Sequence, residues 1–190
     1  MKFTSFDPLI GTIDLMTVDQ AGPGMFNALT GGSTYGRENF YNMVVRGYDQ
    51  DLGAGEFTYA KYSGTIAAGT VVEFSHTLAG NVLTQSATPW AGTSNTGKAL
   101  GVAVAGGAAG QWGWFQISGI AIAITAGAPV AGNPAYYSAA GTVQPTAVAG
   151  KQMENAQYAS APSVTVGSNV LSATQALLLL SRAGCQGAIT

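Results

Sequence analysis

Residues 111–124 read QWGWFQISGIAIAI. In a strand, successive side chains point to opposite faces. On that period Trp112, Trp114 and Gln116 share one face, and Phe115 and Ile117 share the other. Ile120, Ile122 and Ile124 then alternate with Ala121 and Ala123. Such alternation, in a run rich in aromatic and β-branched residues, predicts a strand.

The same pattern continues outward from this stretch. Upstream, Phe57, Tyr59 and Lys61 alternate with Thr58 and Ala60, and VVEF (71–74), NVLTQS (81–86) and LGVAV (100–104) follow. Downstream come Tyr136-Tyr137, Val143, residues 156–159 and the leucine run 177–180. Turn residues separate these pieces about every 8–12 residues, the spacing of an all-β sandwich or barrel. The expected fold is therefore mainly β, a small β-barrel or sandwich body over 55–190.

The first 54 residues read differently. Turn punctuation stands at AGPG (21–24) and GGS (31–33), with short apolar pieces between. Phe40, Met43 and Val44 fall at helical spacing, which predicts a short helix over 38–48. So long a stretch with so little periodicity is unusual inside a compact domain. It is either an extended, mostly irregular N-terminal arm that lies on a neighbouring subunit or a set of long loops.

Charge sharpens the division. The chain of 190 residues has seven basic and nine acidic side chains, 8% against an average of about 25%. Twelve of the sixteen lie within the first 73 positions, and none lies between Lys98 and Lys151. Glycine and alanine, 27 and 31 residues, make up nearly a third of the chain. Seven basic residues cannot form a dense phosphate-neutralising surface, so no nucleic-acid partner is expected. The longest apolar run, 117–130, is too short to span a bilayer and is broken by Gly119, Gly127 and Pro129, so no membrane partner is expected either. The opening MKFTSFDPLIGTIDLM lacks the continuous apolar core of a secretory signal. The single Cys185 excludes an intrachain disulfide.

Motifs that carry chemistry are weak. GTSNTGKA (92–99) falls one hydroxyl short of a phosphate-binding loop, and a strand-like segment follows it where a helix is needed. A surface loop is the reading. His76 is the only histidine, and Glu73 three residues before it points to the other face of a strand. Asp49, Asp51 and Gly53 begin like a calcium loop, but Ala54 and Ala60 stand where it needs glycine and glutamate, which leaves a solvated acidic turn. No catalytic, cofactor-binding or metal-ligating residue is assigned, no cofactor is expected, and the protein reads as a non-enzyme. Trp90, Trp112, Trp114, Tyr136 and Tyr137 remain, either as core or as candidate intersubunit contacts.

Four stretches carry a family resemblance: IAAGTVVEF (66–74), KALGVAVAGGAAGQWGWFQISGIAIA (98–123), APVAGNPAYYSAAGTVQ (128–144) and AVAGKQMENA (147–156). In order and character they resemble the capsid cement, or head decoration, proteins of tailed bacteriophages. That resemblance implies a non-enzymatic virion protein, made in the bacterial host cytoplasm and commonly a homotrimer. It implies binding to the outside of a shell of major capsid protein, which it stabilises. The alternatives are a phage tail or fibre-base structural protein and a carbohydrate-binding β module that uses Trp112 or Trp114 as its platform.

Overall fold

The computed structural model describes residues 4–5, 15, 44–79 and 82–188. Every regular element among them is a strand: β1 (Thr4–Ser5), β2 (Val44–Asp49), β3 (Gly53–Tyr62), β4 (Val71–Ala79), β5 (Val82–Pro89), β6 (Leu100–Ala103), β7 (Trp112–Ile124), β8 (Pro134–Ala139), β9 (Thr142–Gln144), β10 (Gln152–Tyr158), β11 (Thr165–Val166), β12 (Asn169–Val170) and β13 (Gln175–Cys185). The all-β body expected from the alternating pattern is what the chain forms.

Pairing closes five strands into a ring. β3 pairs with β5 in parallel at Lys61–Ser86 and Tyr62–Ala87. β5 pairs with β4, β4 with β6, β6 with β7, and β7 returns to β3, all antiparallel. A closed ring has no free edge among its members, which removes the usual route to edge-on association. Its interior takes the inward residues of each strand: Ala60 and Tyr62, Val72 and Phe74, Ala87, Ala103 and Phe115, with Ile66 beside them. Three of these are alanine, because five strands enclose too little space for a large side chain at every position. The Phe115 ring fills the centre, 5.0 Å from Tyr62 and 5.8 Å from Phe74 between centroids.

β7 is longer than the ring needs, and its second half starts another layer. Residues 118–124 pair with β13, then β10, β8 and β9 follow in order. A bridge between Thr125 and Val143 carries β9 back to the end of β7. The core inside this second group gathers Ala121, Ala123, Leu178, Leu180, Met153 and Tyr158. Thr125 Oγ1 lies 2.8 Å from the Tyr158 hydroxyl and 3.1 Å from the Val143 carbonyl. Burial pushes the Tyr158 phenol up to about 12.

Gly119 marks the change of partner along β7. Its φ is +92°, and the β3–β7 register slips by one residue beside it, between Glu56 and Phe57. That extra residue is a β-bulge, which bends and twists the strand. Gln116 secures the bend by donating from Nε2 to the Ser118 and Ile120 carbonyls, at 3.1 and 3.0 Å.

A third core lies outside the first ring, on the other face of β2, β3 and β7. It gathers Leu15, Val45, Phe57, Tyr59, Trp112 and Trp114. The excursion between β10 and β13, with the small β11–β12 hairpin, supplies Leu171 and the flanking Val164 and Val166 to this core. Asp51 ties the hairpin down. Its Oδ2 accepts from the Ser168 backbone N–H at 2.9 Å, the Ser168 hydroxyl at 2.7 Å and Asn169 Nδ2 at 3.1 Å. Gly167 must stay bare, because a Cβ there would meet the Asp51 carboxylate. Asp49 in turn accepts the Asp51 and Leu52 N–H groups, at 2.9 and 3.0 Å.

The acidic turn is therefore a structural clasp and not simply a solvated loop. The Ser168 bonds hold the Asp51 carboxyl below its ordinary value. A depressed carboxyl contributes stability above its unfolded pKa and loses it as pH falls through the folded one. Amide protection over 165–170, taken relative to the intrinsic exchange rate at each pH, is expected to fall as pH drops through the acid end of the carboxylate range. In Asp51→Asn the same amides should exchange fast with no such pH step. A wild-type hairpin whose protection ignored pH there would refute the clasp.

Two sequence-based expectations change. The helix over 38–48 is not formed where it can be seen: residues 44–48 belong to strand β2, whose buried positions are Val45, Gly47 and Asp49. Pairing with β3 from Val44–Thr58 to Asp49–Gly53 outweighs a weak helical spacing. A Cβ at Gly47 would lie 2.6 Å from Leu15 Cδ1, so the strand is also packed too closely there for most side chains. Residues 38–43 lie outside the described residues. The division at 54/55 also moves, because β2 and the first residues of β3 are part of the body's sheet. Of the N-terminal segment, Thr4 and Ser5 pair with Tyr48 and Gly47, and Leu15 is fully buried. The remainder of it up to residue 43 lies outside the described residues.

Cys185 is buried, with Sγ 2.7 Å from Thr96 Oγ1 and accepting the Lys98 N–H at 3.0 Å. It is expected to resist thiol reagents in the native protein and to react at the rate of unfolding. Prompt stoichiometric labelling under native conditions would contradict this packing.

A candidate partner-binding groove

The aromatic residues separate into two groups. Trp90, Trp112 and Trp114 are 0, 7 and 3% exposed. Trp112 and Trp114 pack on Tyr59, stacked at 5.7 Å and edge-on at 4.9 Å. Trp90 meets Tyr137 edge-on at 5.5 Å, and its Nε1 has no hydrogen-bond partner among the described residues. These indoles belong to the chain's own cores, which leaves them almost no surface to offer a neighbouring subunit or a sugar. Tyr136 and Tyr137 on β8 are half-buried. Lys151 Nζ stands 5.0 Å from the Tyr137 ring centroid, a cation–π contact.

The motifs read from the sequence also find structural places. No helix follows residues 92–99, since β6 begins at Leu100. Lys98 is committed to Glu73, with Nζ 2.6 Å from Oε1. Among the described residues, no group of three or more His, Cys, Asp or Glu side chains is arranged to hold a metal ion.

The structure instead brings together residues that sequence spacing does not connect. Arg182 on β13 donates from Nε and Nη2 to the two oxygens of Glu56 on β3, at 3.0 and 3.3 Å. This two-pronged ion pair holds the Glu56 carboxyl below its ordinary value, with Arg46 on β2 adding to the effect. Arg182 sits where the β13 backbone departs from regular strand geometry. Its φ is +51°, a left-handed conformation that a side chain with a Cβ adopts at a cost. Across from it, Asn155 on β10 has φ +55° where the β10–β13 register shifts.

Around this pair lies an open cavity of about 610 Å³, with Arg46, Ser118 and Ser181 on its walls and Gly55 on its floor. Arg182 also walls a second cavity of about 280 Å³ at the mouth of the five-stranded ring, beside Thr58, Gln85 and Ile117. Ser181 borders a third of about 290 Å³ along Asn155 and Gln157. The first shares Arg182 with the second and Ser181 with the third, which makes the three neighbouring parts of one candidate groove. Gln85 is 5% exposed. Its Oε1 accepts from Thr58 Oγ1 at 3.4 Å.

Sequence reasoning missed this groove. Glu56 and Arg182 are 126 residues apart. The one local signal was that Arg182 ends an uncharged run from 155 to 181. A charge that interrupts such a run needs a reason, and here the reason is an ion pair across the fold.

No protein-family model matches the chain, and no curated protein matches it. Among solved structures, the crystal structure of the N base of head fiber gp8.5 in bacteriophage phi29 is similar to it, with a TM-score of 0.43 and 15% sequence identity over 68% of this chain and 97% of that chain.

Proposed function

We propose that this chain is a structural protein of a bacteriophage virion, a capsid cement or decoration protein that binds the outer face of the major capsid protein shell as a homotrimer. The observation that carries the reading is where the resembling stretches fall. Residues 66–74 supply the start of β4, 98–123 supply β6 and nearly all of β7, 128–144 supply β8 and β9, and 147–156 supply most of β10. They thus supply strands to both groups, including the β7 wall that the two share.

The surface supports it. The run from 99 to 150 carries no charge, although residues such as Val130 are exposed. Depletion of charge is a mark of surfaces that meet other proteins. A cement protein acts by binding several shell subunits at once, so that modest contacts combine into firm attachment. If it binds the mature lattice better than its precursor, it stabilises the mature form by mass action.

The test is the copy number and position of this chain in purified particles. A copy number comparable to that of the major capsid protein, on the outer surface, supports the cement role. A copy number matching a single tail or a set of fibres overturns it in favour of a tail or fibre-base component. Native mass measurement of the purified chain tests the trimer, and a monomer at working concentration would refute it.

A further inference from the structure

We propose that the groove past Arg182 and Arg46 receives an extended, carboxylate-bearing segment of another protein chain. This deepens the virion reading, on which it rests for the kind of partner. Charge is the first argument. The described residues carry five basic side chains, and two of them line this one cavity against a single acid, Glu56. Glu56 is already engaged by Arg182. Arg46 forms no ion pair or hydrogen bond among the described residues and is exposed at the cavity wall. Among the described residues, an incoming carboxylate therefore finds one guanidinium without an ion pair and a second that it can share with Glu56.

Shape and chemistry agree with an extended segment. Three neighbouring cavities lie here, the first sharing Arg182 with the second and Ser181 with the third. Besides the three charged groups the walls carry the Ser118 and Ser181 hydroxyls, and at one end the Gln85 amide and His76 beside the apolar Phe74 and Ile117. Such walls suit the backbone and short side chains of a strand-like peptide, with one acid at the middle.

Strain points to the same place. Arg182 holds a left-handed backbone inside a strand, and conformations of that cost gather where a side chain has to be aimed. Two basic side chains are too few for a nucleic-acid backbone, which needs a track of cations.

The experiment uses the full chain, isotopically labelled, and two capped pentapeptides that differ only in a central glutamate or glutamine flanked by valine and threonine. The glutamate peptide is expected to shift the backbone signals of Gly55, Ser118 and Ser181 and the side-chain amide of Gln85. It should bind about tenfold more tightly than the glutamine peptide, the size of one charge-assisted contact. Arg46→Gln, on an exposed side chain, should keep the melting temperature and remove the preference.

Equal binding of the two peptides, shifts confined to another face, or an unchanged preference in Arg46→Gln would overturn the proposal. So would tighter binding of a short single-stranded oligonucleotide to these residues. Failure here is separable from failure of the virion reading. Glutamate-dependent shifts with the chain absent from particles would sink only the latter. Abundant chain in particles with no glutamate-dependent shift would sink only the groove.

Discussion

Phe115→Ala is expected to destabilise the body by about 3–5 kcal/mol, the range for removing a buried phenylalanine. Phe115 has no exposed surface and sits between Tyr62 and Phe74 inside the first ring. Its other neighbours there include Ala60, Ala87 and Ala103, which have no longer rotamer with which to fill the space. The wall cannot move in either, because all five strands are hydrogen-bonded to two neighbours. The cavity would therefore persist, and the cost falls at the upper end when a site cannot collapse. Phe115→Leu should lose much less, since it keeps most of the volume. Urea unfolding followed by tryptophan fluorescence measures both. An alanine variant within about 1 kcal/mol of wild type would show that the ring interior is not a packed core.

Gly119→Ala is the second large effect, at about 2–4 kcal/mol from strain and clash together. At φ +92° any side chain is strained. A Cβ there would also meet the Ala54 carbonyl oxygen and lie 2.9 Å from Gly55 Cα. Both are backbone atoms of β3, so no rotamer change relieves the contact, and the β3–β7 ladder itself has to part. Gly132→Ala is the matched control. Its φ is +89°, but nothing lies within 4 Å of the added carbon, so it carries the conformational cost alone, about 1 kcal/mol. Equal losses in the two variants would refute the role assigned to the bend.

The two predictions probe what the alternating pattern could and could not reveal. Trp112, Trp114 and Phe115 were legible as strand residues on opposite faces, and the structure places them in different cores. Period-two alternation reports faces, because each residue's side chain is set by its own backbone. It does not report which strand lies alongside. The closure of the first ring depends on a parallel pairing between β3 and β5 limited to two residue pairs, and no local pattern encodes that. The change of partner at Gly119 is similar. A glycine in a strand signals a bulge or a close approach, yet only the Ala54 carbonyl beside it says which.

The expected helix at 38–48 illustrates the limit. Three apolar residues at helical spacing are a local signal worth a fraction of a kcal/mol per position. The ladder from Val44 to Asp49 makes six residue pairings with β3 and buries Val45 against Leu15 and Phe57. Non-local contacts of that number outweigh the local preference. The candidate groove was less legible still, since Arg46, Glu56 and Arg182 meet only after four strands, β2, β3, β7 and β13, have been laid side by side.

The sequence by itself determined that the chain is β, that its centre is uncharged, and that its chemistry-like motifs lack the residues they require. These are properties of composition and of nearest-neighbour spacing, which each short segment carries alone. The tertiary structure decided that the tryptophans are core, that the acidic turn clasps a hairpin, and that two arginines share a groove. Each of those depends on residues far apart in the chain, and their meeting is set by which strands pair and where β7 bends.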